Sequence, residues 1–278
     1  MQQTVPTNES TASRPRHPRA GWGIALWFLG MCLFVYLIGP LIYFFFVLQW
    51  PIVPMALSDP VALQALFTSL ISATTATILM GLFGIPLGYL LARYRFPGKS
   101  LLNIAIYLPL VFPPVVSGIL LLVLYGPYGL IGGPLTAAGL EIDDTTVGII
   151  LAQIFVAAPF VIVSARSAFE AIDPKLEQVA ATLGKGRWSL FWQVSLPLAR
   201  GGIISGLILA WMRALGEFGA TVVMAYHPYT LPVYTYVQLT GIGVPQTLPL
   251  ALYALVISAS VIGLIFILQR AVGGRVWL

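Results

Sequence analysis

Inside an apolar stretch at residues 203–226 stand two ionisable groups, Arg213 and Glu217, with no other charge around them. Four positions apart, they share one face of a helix. A lone charge at the centre of a bilayer costs at least about 2.5–3.5 kcal/mol on insertion scales, so both groups should face protein or water and interact. Three chemistries fit the pair: a salt bridge that fixes helix packing, a positive group in an anion path, or a carboxylate that titrates in proton-coupled transport. Glu217 cancels much of the field of Arg213, which weakens the case for Arg213 as a strong anion ligand.

The remaining residues offer little for catalysis. His17 and His227 lie far apart, and neither an HExxH nor a GxSxG pattern occurs. Cys32 is the single cysteine, so neither a disulfide nor a cysteine-based metal site forms within one chain. Pro97-Gly-Lys-Ser100 looks like the end of a phosphate loop, but that pattern needs glycine at position 93, which is Arg93. The chain therefore has no nucleotide site of its own and no metal or catalytic residue set.

The elements that must hold these groups follow from composition. The 278 residues are 59% apolar and 8% charged, with mean hydropathy +0.93. A soluble domain carries about a quarter of its residues as charge, so this is a membrane protein. Apolar runs long enough to cross the hydrocarbon core lie at 24–48, 67–92, 101–125, 147–165, 203–226 and 248–269, which predicts an all-α membrane protein with six transmembrane helices. The first run is longer than a signal-peptide core and no small-x-small site precedes Gln49, so it reads as a retained helix.

Of the fourteen basic residues, thirteen fall before the first span, between the second and third, between the fourth and fifth, or after the sixth. The opposite segments, 49–66, 126–146 and 227–247, contain no Lys or Arg and carry Asp59, Glu141, Asp143 and Asp144. Basic loops stay on the cytoplasmic side, so both termini are expected there. Positive charge spread over loops beside the bilayer points to lipid contact and not to nucleic acid. Residues 1–20, rich in Thr, Ser, Pro and Arg, read as a disordered basic tail.

Pro109, Pro113 and Pro114 should kink or open the third span, whose freed carbonyls would be satisfied by lining a water-filled path. The sixth span has no matching break. Gly84 and Gly88 beside Pro86, and Gly202 with Gly206, suit close helix packing. The hydroxyls of Thr68, Ser69, Ser72, Thr74, Thr75 and Thr77 either line a polar path or bond their own helix backbone. In the long basic loop 166–202, Asp173 can cap a helix starting at Pro174, and Leu176, Val179, Ala180 and Leu183 recur at helical spacing before Gly184 ends it. A second short piece runs from Trp188 to Val194. Such a hairpin is either a docking element or an interfacial hairpin lying on the membrane.

Gln178-Val-Ala-Ala-Thr-Leu-Gly184, nine residues, then Val194-Ser-Leu-Pro197, resembles the EAA motif of ATP-binding-cassette importer permeases. Gln178 takes the motif's Glu position, with Glu177 one place earlier, and Val179 and Val194 replace Ala and Ile. Leu108-Pro-Leu-Val-Phe-Pro-Pro-Val-Val-Ser-Gly118, Arg213-Ala-Leu-Gly-Glu-Phe-Gly-Ala-Thr221 and Arg93-Tyr-Arg-Phe-Pro-Gly-Lys99 are similar to segments of molybdate permeases and of sulfate/thiosulfate permeases. The resemblance covers roughly residues 64–270, and Pro113-Pro114 with the run after it leans toward the molybdate branch.

The resemblance implies the type I importer fold and a multi-pass protein of the bacterial cytoplasmic (inner) membrane. It implies a permease core at 67–270 with a coupling loop at 166–202; the apolar runs and the charge pattern add a first helix with its outer loop at 21–66 and a cytoplasmic tail at 271–278. It also implies partners: a cytoplasmic ATPase dimer that binds ATP and Mg, a second copy of the permease, and an extracytoplasmic oxyanion-binding protein. Leu176, Glu177, Gln178, Val179, Ala180, Ala181, Leu183, Gly184, Leu196 and Pro197 become the expected ATPase-coupling residues. Ala180, Ala181 and Gly184 would let the helix sit deep in a partner's cleft, with Leu176 and Leu183 as anchors. Arg213, Glu217, Pro113, Pro114 and Ser117 become candidates for the translocation path. The rivals are a sulfate/thiosulfate or tungstate permease of the same build, and a self-contained secondary anion carrier using Arg213 and Glu217.

Overall fold

A computed structural model describes residues 20–271, and every regular element among them is helical. The expected disordered tail at 1–20 and the C-terminal tail at 271–278 lie outside the described residues, apart from one residue each. The chain divides into two units, Met1–Leu48 and Gln49–Leu278. The first holds α1 (Ala20–Val47), an uncharged helix apolar on every face, as a membrane span requires.

The second unit begins with a 3-10 turn (Trp50–Ile52) and α2 (Val53–Leu57), then α3 (Pro60–Arg93). Next come α4 (Lys99–Val111), α5 (Pro114–Tyr125), α6 (Gly132–Ala137), α7 (Thr146–Glu170), α8 (Pro174–Thr182) and α9 (Arg187–Leu190). A π turn (Phe191–Ser195) leads into α10 (Leu196–Leu215), followed by α11 (Gly219–Met224), α12 (Leu231–Ile242) and α13 (Val244–Ala271). Five described helices are long and apolar enough to cross a membrane, and α4 with α5 makes a sixth if the bent pair counts as one span.

The core is built from α3, α7 and α10, and it is made of small side chains. Ala73, Ala76 and Met80 of α3 meet Ala157 and Val161 of α7 and Ala210 and Ala214 of α10. Lipid offers no hydrophobic drive to associate helices, so close backbone approach has to supply the contact. A Cβ on Gly88 would lie 2.9 Å from that of Ala165, and one on Gly206 would lie 2.4 Å from that of Ser164. The expected packing role of these glycines is thus met.

Two of the six expected spans are not single helices. Between α4 and α5 the axis turns by 117°, far more than a kink. A residue before proline avoids the helical region, and the tandem Pro113-Pro114 applies that rule twice: Phe112 has ψ 136° and Pro113 has ψ 133°. Pro114 then starts α5, where its missing N–H costs nothing. The fifth span starts earlier than expected, at Leu196, and stops at Leu215. Gly216, Glu217 and Phe218 separate it from the six-residue α11. The third span therefore has a broken counterpart in the fifth. The 227–247 segment, read as an outer loop, holds α12.

Candidate functional site

The 166–202 loop folds from local signals. Asp173 accepts the N–H of Lys175 at 2.9 Å, and Pro174 occupies the first turn of α8. Gly184 has φ +82°, a left-handed value that glycine adopts without strain. Its N–H bonds to the Ala181 carbonyl while that of Lys185 bonds to the Ala180 carbonyl, the two bonds of a Schellman ending. Leu176, Val179 and Leu183 project outward at 51%, 58% and 78% exposure, and Gln178 and Ala181 are also exposed. They form an apolar strip with no covering element among the described residues. Leu196 and Pro197 open α10.

Two of the expected docking residues point the other way. Ala180 is buried against the fold. Glu177 also turns inward: its carboxylate takes the Arg93 Nε at 2.9–3.0 Å and the Ser195 hydroxyl at 2.8 Å. Arg93, the last residue of α3, donates in addition to the Ile172 carbonyl at 3.2 Å. Beside this polar cluster Tyr89 of α3 stacks edge-on against Phe169 of α7 and Phe191 of the π turn, both with ring centres at 5.0 Å. Helices α3, α7, α8 and α10 thus meet at one joint.

The second region lies where the two broken spans meet. Helix α11 rests on α5 so closely that a Cβ on Gly219 would lie 2.7 Å from that of Pro114, and one on Gly118 would lie 2.8 Å from the Ala220 carbonyl. Arg213, in the last turn of α10, forms an ion pair with Glu217. Glu217 is not on the same helix: it sits past the end of α10, and its Oε1 accepts the Ala220 N–H of α11 at 2.8 Å. The carboxylate braces the gap between α10 and α11. Sequence spacing identified the pair but not the break it spans. Ser117 and Thr221 are also fully buried, and their hydroxyls have no hydrogen-bond partner among the described residues.

The hydroxyls of α3 bond their own helix, one of the two roles left open for them, or tie it to neighbouring helices. Thr77 bonds its own helix at the Ala73 carbonyl, whereas Ser69 accepts the Leu231 N–H and Ser72 accepts Gln153 Nε2 of α7. Both serines are buried packing contacts that tie α7 and α12 to α3. At that end Asp59 caps α3 through the Val61 N–H and accepts the Tyr234 hydroxyl. Burial, with help from Asp59, pushes the Tyr234 hydroxyl up to about 12. Asp144 accepts the N–H groups of Tyr226 and His227. An apolar groove of about 470 Å³ runs between α10, α12 and α13, lined by residues such as Trp211, Leu215, Phe218, Leu239 and Ile257. Such a lining does not suit a dianion. Among the described residues no group of three His, Cys, Asp or Glu side chains could hold a metal ion.

Residues 84–277 match the family described as binding-protein-dependent transport system inner membrane component. A probable molybdenum ABC transporter permease protein of Haloferax volcanii is 40% identical over 94% of this chain and 93% of its own length. The molybdate/tungstate transport system permease protein of Thermococcus kodakarensis is 40% identical over 79% of this chain and 82% of its own. The molybdenum transport system permease protein of Escherichia coli is 41% identical over 73% and 82%. Among solved structures, a bacterial alginate ABC transporter in complex with a pentasaccharide-bound periplasmic protein matches with TM-score 0.66 at 18% identity, covering 90% of this chain and 95% of that one. An amino acid ABC transporter matches with TM-score 0.56 at 21% identity, covering 78% and 97%. At such identities the structures establish the fold, a type I importer permease.

Proposed function

The chain belongs to the family of binding-protein-dependent transport system inner membrane components, and from that premise we propose that it is the permease subunit of an ATP-driven molybdate importer. It is a multi-pass inner-membrane transport component. The observation that carries the substrate is the 40% identity, over nearly the full length of both chains, to a probable molybdenum ABC transporter permease. Tungstate is a second candidate cargo, because a relative of equal identity is a molybdate/tungstate permease.

In this reading ATP and Mg bind to a separate ATPase dimer on the cytoplasmic face. The distribution of Lys and Arg supports assigning loop 166–202 and both termini to that face. The exposed strip Leu176, Val179 and Leu183 supplies the apolar anchors that dominate docking energies. A delivery protein presents the oxyanion at the opposite end, near Asp59, Glu141, Asp143 and Asp144, whose charge would repel a free dianion approaching from solution. Two copies of the chain enclose the pathway, and the α5–α11 contact beside Pro113, Pro114, Ser117, Arg213 and Glu217 is its candidate moving wall. The ion pair is internally neutralised and serves that wall as a brace more than as an anion ligand.

Uptake in vesicles carrying the chain with its ATPase and delivery protein tests the reading. ATP-dependent, vanadate-sensitive molybdate accumulation that tungstate suppresses and excess sulfate does not is the expected result. Uptake that needs no ATP and stops when the proton gradient is collapsed would instead mark a secondary carrier.

A further inference from the structure

We propose that Glu177 is a positioning residue of the transport cycle, the central member of an Arg93–Glu177–Ser195 latch that makes α8 move as one body with the ends of α3 and α10. The proposal rests on the transport reading above and assigns work within it. Three observations converge on the latch.

The first is direction. On a short helix whose Leu176, Gln178, Val179 and Ala181 are exposed, Glu177 turns inward on the side of the buried Ala180, and its side chain and that of Arg93 are each 12% exposed. A charged pair so withdrawn from water needs hydrogen bonds on both sides to be tolerated. It has them: Arg93 also binds the Ile172 carbonyl, and Glu177 also binds the Ser195 hydroxyl.

The second is span. The latch joins residues 84 and 18 positions apart in sequence. Through them, and through the Tyr89, Phe169 and Phe191 rings beside them, a displacement of α8 reaches three spans at once. A docking helix tethered only by its flanking loops could move while the spans stayed still. Interior packing is stiff and transmits displacement.

The third is the π turn. The Leu196 N–H bonds to the Phe191 carbonyl, five residues back. Such a bulge is rare, appears mostly as a single turn inserted in an α-helix, and is frequent at functional sites. Here the residue at its end is Ser195, fully buried, whose hydroxyl reaches Glu177. Without the bulge, Ser195 would be rotated relative to the rest of α10.

The test uses the complete complex of permease, ATPase and delivery protein in vesicles, and reads molybdate transported per ATP hydrolysed. Glu177→Gln and Ser195→Ala should bind the ATPase in wild-type amounts yet transport roughly 5-fold less molybdate per ATP, since a network member modulates coupling on that scale. Leu183→Asp, on the outward strip, should instead reduce the ATPase recovered with the complex. Unchanged transport per ATP in both latch variants would overturn the proposal, and so would loss of ATPase from Glu177→Gln, because Glu177 would then be a docking contact. Should Glu177→Gln fail to reach the membrane, Ser195→Ala, which removes one hydroxyl, carries the test alone. ATP-driven uptake by the wild-type complex is measured alongside, and its failure would count against the transport reading and not against the latch.

Discussion

Glu217 is 1% exposed and Arg213 30% exposed, and this asymmetry decides what each substitution does. Arg213→Gln leaves a carboxylate buried without its counter-charge, at a cost of about 3 kcal/mol, the low end for a broken buried pair because Arg213 itself is only partly buried. Glu217→Gln is milder, since the amide oxygen still accepts the Ala220 N–H and the stranded charge is the more exposed one. The double variant should recover most of the loss. Thermal unfolding in detergent checks the order, with Arg213→Gln lowest; Glu217→Gln lowest would mean that the carboxylate holds something besides Arg213. The pairing was legible in the sequence because four-residue spacing is a local signal. The partners of Glu177 were not, for Arg93 and Ser195 come near only when three helices pack. A signal for them existed in the Glu177-Gln178 order: the motif's outward position holds an uncharged residue, and the charge sits one place earlier, rotated about 100° around the helix.

At the scale of elements, the contact between the two broken spans is set by glycine. Gly219→Ala and Gly118→Ala each push a methyl into Pro114 or the Ala220 carbonyl and should cost about 1–3 kcal/mol. Gly201→Ala in α10, where a Cβ would meet nothing within 4 Å, should instead stabilise by up to about 1 kcal/mol. Unfolding midpoints of the three compare them directly, and equal shifts would mean that α11 does not pack on α5. Gly184→Ala adds no clash but puts an L-residue at φ +82°, so it should fray the end of α8 by about 1–2 kcal/mol, and Gly184→Asn by less. The ends of α8 were readable because Asp173, Pro174 and Gly184 act within one turn. The start of α3 carries a signal of the same kind, Asp59 before Pro60, which lies outside the apolar run at 67–92. The gap after Leu215 escaped because hydropathy does not register it: Gly216 and Gly219 flank Glu217 in a stretch that stays apolar on average. In the same way the sequence of α12 reads as loop, since Pro, Tyr and Gly dominate its surroundings.

For the whole molecule, the low charge content locates the chain in a bilayer, and the charge distribution supports the proposed direction across it. The spans seen as helices agree with the apolar runs in number if α4 and α5 are one, but the two that break are those that meet beside Arg213 and Glu217. A transporter needs walls that rearrange, and the breaks between α4 and α5 and between α10 and α11 supply element-terminal residues of the kind that absorb backbone changes at hinges. Under the proposed transport function the outward strip of α8 is the docking surface for the motor: replacing Val179 and Leu183 together by Asp should lower ATPase binding at least about 30-fold, the loss expected from one hot-spot residue or more. Pull-down of the ATPase with the tagged permease reads this, and undiminished recovery would place the docking surface elsewhere. The most direct measurement of the account is molybdate accumulation in oriented vesicles holding the permease, its ATPase and its delivery protein, with ATP supplied on one side only. Accumulation driven solely by ATP on the side that carries loop 166–202 is the predicted result; accumulation without ATP, or with ATP effective only on the side of Asp59 and Asp144, would contradict it.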